Sequence, residues 1–216
     1  MLGIHDLPLF IVSGLLLNIT PGPDSLYIIG RSAAQGHKAG MAAAFGIGAG
    51  TIVHVLAAAF GLSAILATSA TAFTVVKLIG AAYLFYVGLG MLLRRSRKVD
   101  EGAAEPVRLP QATLGQVFRQ GFLTNVLNPK VALFFLAFVP QFIEPAAPHK
   151  ALAFIALGLV FNVNGMLWCN FLAWSAATAS ARFKGKGAGR LAEVLNRATG
   201  GLFVALGVKL VLSRQN

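Results

Sequence analysis

Apolar residues run in long blocks along this chain and do not alternate with polar ones. A helix needs about 20 residues to cross a bilayer. Six blocks reach that length: residues 7–30, 39–62, 72–93, 119–141, 151–175 and 194–212. The uncharged sequence of the second block continues to Val76, too far for one helix, so Ala67-Thr68-Ser69-Ala70-Thr71 is the expected turn before the third. A membrane barrel would show alternation over segments of about 10 residues, and the chain has none. The pattern therefore predicts an all-α polytopic membrane protein with six transmembrane helices. The first block has neither a basic lead-in nor a small-residue cleavage site, so it reads as a retained span.

One polar stretch of any length interrupts this pattern. It holds Arg94, Arg95, Arg97, Lys98, Asp100, Glu101, Glu105 and Arg108, with Pro106 and Pro110. It reads as a flexible basic linker over residues 94–118. The linker separates a first unit of three helices, residues 1–93, from a second, residues 119–216.

Composition agrees with the pattern. Of 216 residues, 56% are hydrophobic and 12% charged, against about 25% charged in an average soluble domain. The mean hydropathy is +0.74. A disordered chain is excluded, since it needs low hydrophobicity. The net charge of +11 fits either a nucleic-acid partner or the cytoplasmic loops of a membrane protein. Position decides between them. With six spans the odd-numbered connections share one side. They carry Arg31 and Lys38, then Arg94, Arg95, Arg97, Lys98, Arg108 and Arg119, then Arg182, Lys184, Lys186, Arg190 and Arg197, thirteen of the 18 bases. The positive-inside rule puts that side in the cytoplasm and both termini outside. Nucleic acid is not an expected partner, because spans separate the basic groups; the expected surroundings are the lipid bilayer. The single cysteine, Cys169, excludes an intramolecular disulfide and reads as a small packing residue.

The two units resemble each other. Gly14-Leu15-Leu16-Leu17-Asn18-Ile19-Thr20-Pro21 answers Gly121-Phe122-Leu123-Thr124-Asn125-Val126-Leu127-Asn128-Pro129 at an offset of 107 residues. His37-Lys38-Ala39 answers His149-Lys150-Ala151, and Lys77-Leu78-Ile79-Gly80 answers Arg197-Ala198-Thr199-Gly200. A repeat with an odd number of spans must insert its second copy upside down, a recurring construction of secondary transporters.

The candidate chemistry lies at the repeated motif. Pro21, Gly22 and Pro23 cannot continue a regular helix, so the first helix should break there into two halves. Exposed backbone at that depth is tolerated only where protein or a water-filled cavity satisfies it. The second half-helix would then offer free N–H groups to an anion. Asp24 sits at this break, although an acid at membrane depth costs about 2.5–3.5 kcal/mol and such acids mark pathways and proton sites. The fourth helix should break at Pro129, beside Asn125, Asn128 and Lys130. Two readings of Asp24 and Lys130 stay open. They form a structural ion pair, or both line a cavity and act on substrate. Asn18, Thr20, Asn125 and Asn128 would supply neutral contacts there. In the fifth block Asn162 and Asn170 read as interhelical hydrogen bonders or cavity lining, and His54 in the second as a packing histidine or a cavity residue. Gly46, Gly48 and Gly50 read as a close-packing face. No metal-ligand cluster, nucleotide loop or nucleophile elbow is present in the sequence, so neither an enzyme nor a cofactor nor a bound metal is expected.

Asn18-x-Thr20-Pro21-Gly22-Pro23 resembles the first signature of the LysE/RhtB family of amino-acid exporters. Gly121-Phe122-Leu123-x-Asn125-x-x-Asn128-Pro129-Lys130 is similar to the second, and Gly80-Ala81-Ala82-Tyr83-Leu84 also fits. The resemblance implies secondary active efflux of amino acids or close derivatives across the bacterial inner membrane, driven by protons. Small-residue faces permit a homodimer without requiring one. A passive solute channel and a non-transporting membrane scaffold are the competing classes.

Overall fold

The computed structural model describes residues 2–63 and 111–182, together with positions 71, 75, 78 and 82. Apart from those single positions, the expected third and sixth spans and nearly all of the linker lie outside these residues. Among the described residues every regular element is helical. Two helices, α1 (Leu7–Ile19) and α2 (Pro23–Gln35), meet at a 53° bend. A single residue, Gly36, turns the chain into α3 (His37–Leu56), which continues as a π turn over Ala57–Leu62. Gly36 has φ 80°, a value that L side chains avoid and glycine adopts freely. Helix α4 (Leu114–Val126) and helix α5 (Pro129–Leu133) form the second bent pair, with α5 prolonged by π and 3₁₀ turns to Phe142 and a 46° angle between the halves. Helix α6 (Lys150–Arg182) is one unbroken rod.

By length and apolarity, α3 with its π turn and α6 each suffice to cross a membrane, as does each bent pair taken as one span. The described residues thus form a polytopic helical membrane protein, and both proline breaks fall where the sequence places them. Three boundaries differ from expectation. Helix α2 runs on past Gly30 because Arg31-Ser32-Ala33-Ala34-Gln35 contains no helix breaker before Gly36. Helix α4 starts at Leu114, five residues early, because Thr113 and Gln116 form a reciprocal capping box. Helix α6 extends on both sides of the expected 151–175 block.

The two bent pairs run antiparallel. The N-terminal segment joins the end of the second pair, through His5 N–H to the Phe142 carbonyl at 3.1 Å and an isolated bridge between Ile4 and Ile143. At the other end, Gln35 of α2 donates to the Ala112 carbonyl at 2.9 Å, just before α4. The breaks of the two pairs are thereby brought level.

Two buried clusters hold this arrangement. One is aromatic: Phe10, Phe134, Phe135, Phe138, Phe142 and Phe161. Its rings meet at 4.6 Å for Phe134–Phe161 and 5.2 Å for Phe10–Phe142, spacings that favour aromatic pairs. The other is built from small residues, Ala43, Ala44, Cys169 and Ala173, with Ile28, Ile47 and Val117. Here α3 and α4 approach almost backbone to backbone. A Cβ on Gly46 would overlap the Phe118 carbonyl oxygen, and one on Gly121 would lie 2.6 Å from the Ala43 carbonyl oxygen. Without a hydrophobic drive between helices in lipid, such close approach is what holds them.

Candidate functional site

Each break is satisfied by the other. At the first, Thr20 ends α1, with its N–H and its Oγ1 both donating to the Leu16 carbonyl. The carbonyls of Leu17 and Thr20 have no further turn to accept from. Lys130 Nζ donates to both, at 3.1 and 3.0 Å. A cation at a helix C-terminus is favourable. Gly22 makes room for it, since a Cβ there would sit 3.1 Å from Nζ.

At the second break Asn128 is the N-cap of α5. Its Oδ1 accepts from the Lys130 backbone N–H at 3.0 Å, which satisfies one orphan donor of that helix. Pro129 occupies the first helical position, where a missing N–H costs nothing. With Oδ1 so used, Asn128 Nδ2 points the other way and donates to Asp24 Oδ2 at 2.9 Å; Asn125 Nδ2 donates to the same oxygen at 2.9 Å. Asp24 itself stands in the first turn of α2, just after Pro23, where the helix dipole favours an acid. Thr20, Asn125 and Asn128 are almost wholly buried.

Asp24 and Lys130 do not pair. No salt bridge joins them; the contact of this kind that the structure records, His5 with Asp6 at 3.3 Å, lies elsewhere. The reading of a structural Asp24–Lys130 ion pair is thereby corrected: each charge is hydrogen-bonded by neutral polar groups of the opposite span. Both nevertheless line one cavity of about 30 Å³, with Asn18, Thr51, Asn125 and Asn162 among its polar neighbours and Leu17, Ile47, Phe161 and Met166 among its apolar ones. Water needs about 10–15 Å³ of such space, so two or three waters fit. Two polar atoms of the cavity's lining residues are buried without a hydrogen-bond partner: Asp24 Oδ1 and Asn18 Nδ2. Buried polar groups are rarely left so, and an unpartnered acceptor and an unpartnered donor on lining residues suit a guest bearing both a donor and an acceptor.

The remaining predicted residues divide. Asn162 borders the cavity. Asn170 does not, and its Nδ2 donates within its own helix to the Met166 carbonyl at 2.8 Å, so neither cavity lining nor an interhelical bond describes it. His54 also stands off the cavity. Its Nε2 lies 3.0 Å from the Asn125 carbonyl and its ring stacks on Phe135 at 6.3 Å, so it braces both halves of the second broken span. Thr20 and Asn128 act from behind the lining.

Sequence reasoning missed Thr51, Phe161, Gly165, Met166 and Cys169. For three of these the signal was present on α6: Gly165, Met166 and Cys169 follow Asn162 at i+3, i+4 and i+7 and share its face. Also missed was a polar cluster at the far end of α2. Tyr27 donates to the Val117 carbonyl at 2.9 Å and to Gln120 at 3.0 Å, and buried Arg31 donates to Gln35 and Gln120, each at 2.8 Å. Arg31 is therefore a helix-packing residue and not the loop charge that the pattern suggested. No group of three His, Cys, Asp or Glu side chains converges among the described residues.

Comparison with known proteins adds an independent line. The chain is 34% identical over 209 residues to an uncharacterised membrane protein of Pseudomonas aeruginosa, covering 97% of this chain and 96% of that one. It is 28% identical over 208 residues to the leucine efflux protein of Salmonella typhimurium, covering 96% and 95%. The leucine efflux protein of Enterobacter sp. strain 638 is likewise 28% identical, over 211 residues, with 96% of each chain covered. No solved structure matches. The family model for LysE type translocators matches residues 15–214, nearly the whole chain and both proline breaks, and the chain belongs to that family.

Proposed function

We propose that this protein exports amino acids across the bacterial inner membrane by alternating access, coupled to protons, with its termini in the periplasm. The observation that carries the reading is the Asp24 carboxylate. One of its oxygens is fixed by two buried amides, and the other is buried with no hydrogen-bond partner, in a residue that lines the cavity. That free oxygen suits the ammonium of an amino acid or a proton. Lys130 spends two N–H donors on helix carbonyls and keeps a third for a carboxylate. Asn18, Asn125 and Asn128 complete the polar frame, and Pro21, Gly22, Pro23 and Pro129 hold the half-helices apart.

Three points support transport over a scaffold or a fixed pore. The antiparallel broken spans suit inverted repeats of residues 1–93 and 119–216 about the linker, and transporters so built bind substrate at the meeting of their breaks. The cavity admits only water-sized guests in this arrangement, so an amino acid enters only if the spans separate, as alternating access requires. Relatives named leucine efflux proteins favour amino-acid export.

The test is flux from proteoliposomes holding the full chain and loaded with labelled leucine. The expected result is saturable efflux, stimulated by leucine outside and driven uphill by an imposed pH gradient. Flux without saturation or trans-stimulation would identify a channel. No flux of any amino acid would leave the scaffold class standing and overturn the proposal.

A further inference from the structure

One feature of the cavity is used by none of these roles. Gly48 on α3 faces α6, and a Cβ there would lie 2.5 Å from Met166 Sδ, 3.3 Å from its Cγ and 3.5 Å from Asn162 Oδ1. The Met166 thioether thus occupies the place where any other residue at 48 would put its own side chain. Both residues line the cavity. Methionine is unbranched, with three rotatable bonds, and readily repacks. The thioether over Gly48 is therefore a movable filling in a notch. Nearby, Gly165 lets α6 come close to the stranded amide of Asn18, since a Cβ there would meet its side-chain atoms at 3.3 Å.

Charge is distributed unevenly around the cavity. Its charged lining residues among those described are Asp24 and Lys130, both supplied by the helix breaks. Ile47, Gly48, Phe161, Met166 and Cys169 bring no charge. A substrate with charge only on its amino-acid head would find both partners at the breaks. Away from the breaks, a charged side chain would meet no counter-charge among the described lining residues and would be desolvated at a cost.

We propose that the notch over Gly48 is the subsite for the substrate's side chain, that this side chain is uncharged and aliphatic, and that it displaces Met166, whose bulk limits the accepted size. The proposal rests on the amino-acid export reading above. One methylene in an apolar pocket is worth about 10–200-fold in discrimination, so changing this wall should reorder substrates visibly.

The experiment measures kcat/KM of efflux in proteoliposomes for glycine, alanine, valine, leucine, phenylalanine and lysine, with size-exclusion profiles confirming folding. Met166→Ala removes the atoms that fill the notch and should raise the phenylalanine-to-leucine ratio about tenfold. Gly48→Ala presses the thioether into the cavity and should raise the alanine-to-leucine ratio by a similar factor. The double variant, with the added methyl placed in the vacated space, should return both ratios toward wild type. If Gly48→Ala does not fold, the Met166→Ala arm decides alone. A folded Met166→Ala variant with an unchanged size order, or with no transport, would overturn the proposal, as would wild-type preference for lysine over leucine. A wild-type protein that moves no amino acid at all would instead overturn the export reading itself.

Discussion

Replacing Asp24 by asparagine separates the two duties of its carboxylate. The substitution is nearly isosteric, and the new side-chain oxygen can take the place of Oδ2 and accept from Asn125 and Asn128, now both at 2.9 Å. Neutral bonds contribute about 0.5–1.5 kcal/mol each and bonds to a charged group about 1.5–3. Taken at like points of the two ranges, the two bonds together lose about 2–3 kcal/mol of folded stability, and the variant should fold. The new NH₂ would then occupy the position of the unpartnered Oδ1, with donors where an ammonium needs an acceptor. One charge-assisted bond to substrate is lost, about 1.5–3 kcal/mol, or roughly 10- to 140-fold in affinity. The assay is titration calorimetry of leucine into detergent-solubilised protein, followed by flux in proteoliposomes under a pH gradient. Leucine Kd should rise by that factor, and uphill efflux should cease because a carboxamide carries no proton in this range. An unchanged Kd would refute the ammonium contact, and retained proton-driven efflux in Asp24→Asn would refute the proton role.

Three further substitutions, one with a paired control, probe what holds the site in place. Lys130→Met removes both bonds to the α1 carbonyls but also a desolvated ammonium. Thermal unfolding in detergent should show a net loss of about 1–3 kcal/mol, and no loss would mean that the lysine does not cap α1. Gly46→Ala should cost about 1–3 kcal/mol, because the new methyl meets the Phe118 backbone, which cannot rotate aside; Gly115→Ala, where nothing lies within 4 Å, should be neutral or stabilising in the same melt. Thr113→Ala breaks the capping box of α4 and should cost about 0.5–2 kcal/mol, read as faster amide exchange at residues 114–117 with the rest of α4 unchanged.

The breaks were legible because proline and glycine act through local backbone chemistry. Pro21, Gly22, Pro23 and Pro129 interrupt their helices wherever the neighbours lie, and the observed 53° and 46° bends follow. The partners of the charges were not legible, because they are set across the bundle. Opposite charges at matched breaks suggest a pair, yet Lys130 sits near the positive N-terminal end of α5 and gains more by reaching the carbonyl end of α1. Asp24, at the favourable end of α2, is left to the two amides of the other span. Arg31 fails for a related reason. It follows the last apolar run and so reads as a loop charge, but nothing stops the helix before Gly36, and the acceptor that makes its burial tolerable, Gln120, is 89 residues away. Asn170 was misjudged on geometry that the sequence did contain. Eight residues along a helix turn it about 80° from Asn162, whereas seven residues return to within about 20°, and it is Cys169 that shares the cavity face. Local rules thus located where the membrane helices open. Which groups face the opening depended on helical phase read to the residue and on contacts between distant spans, and the proposed substrate chemistry rests on those contacts.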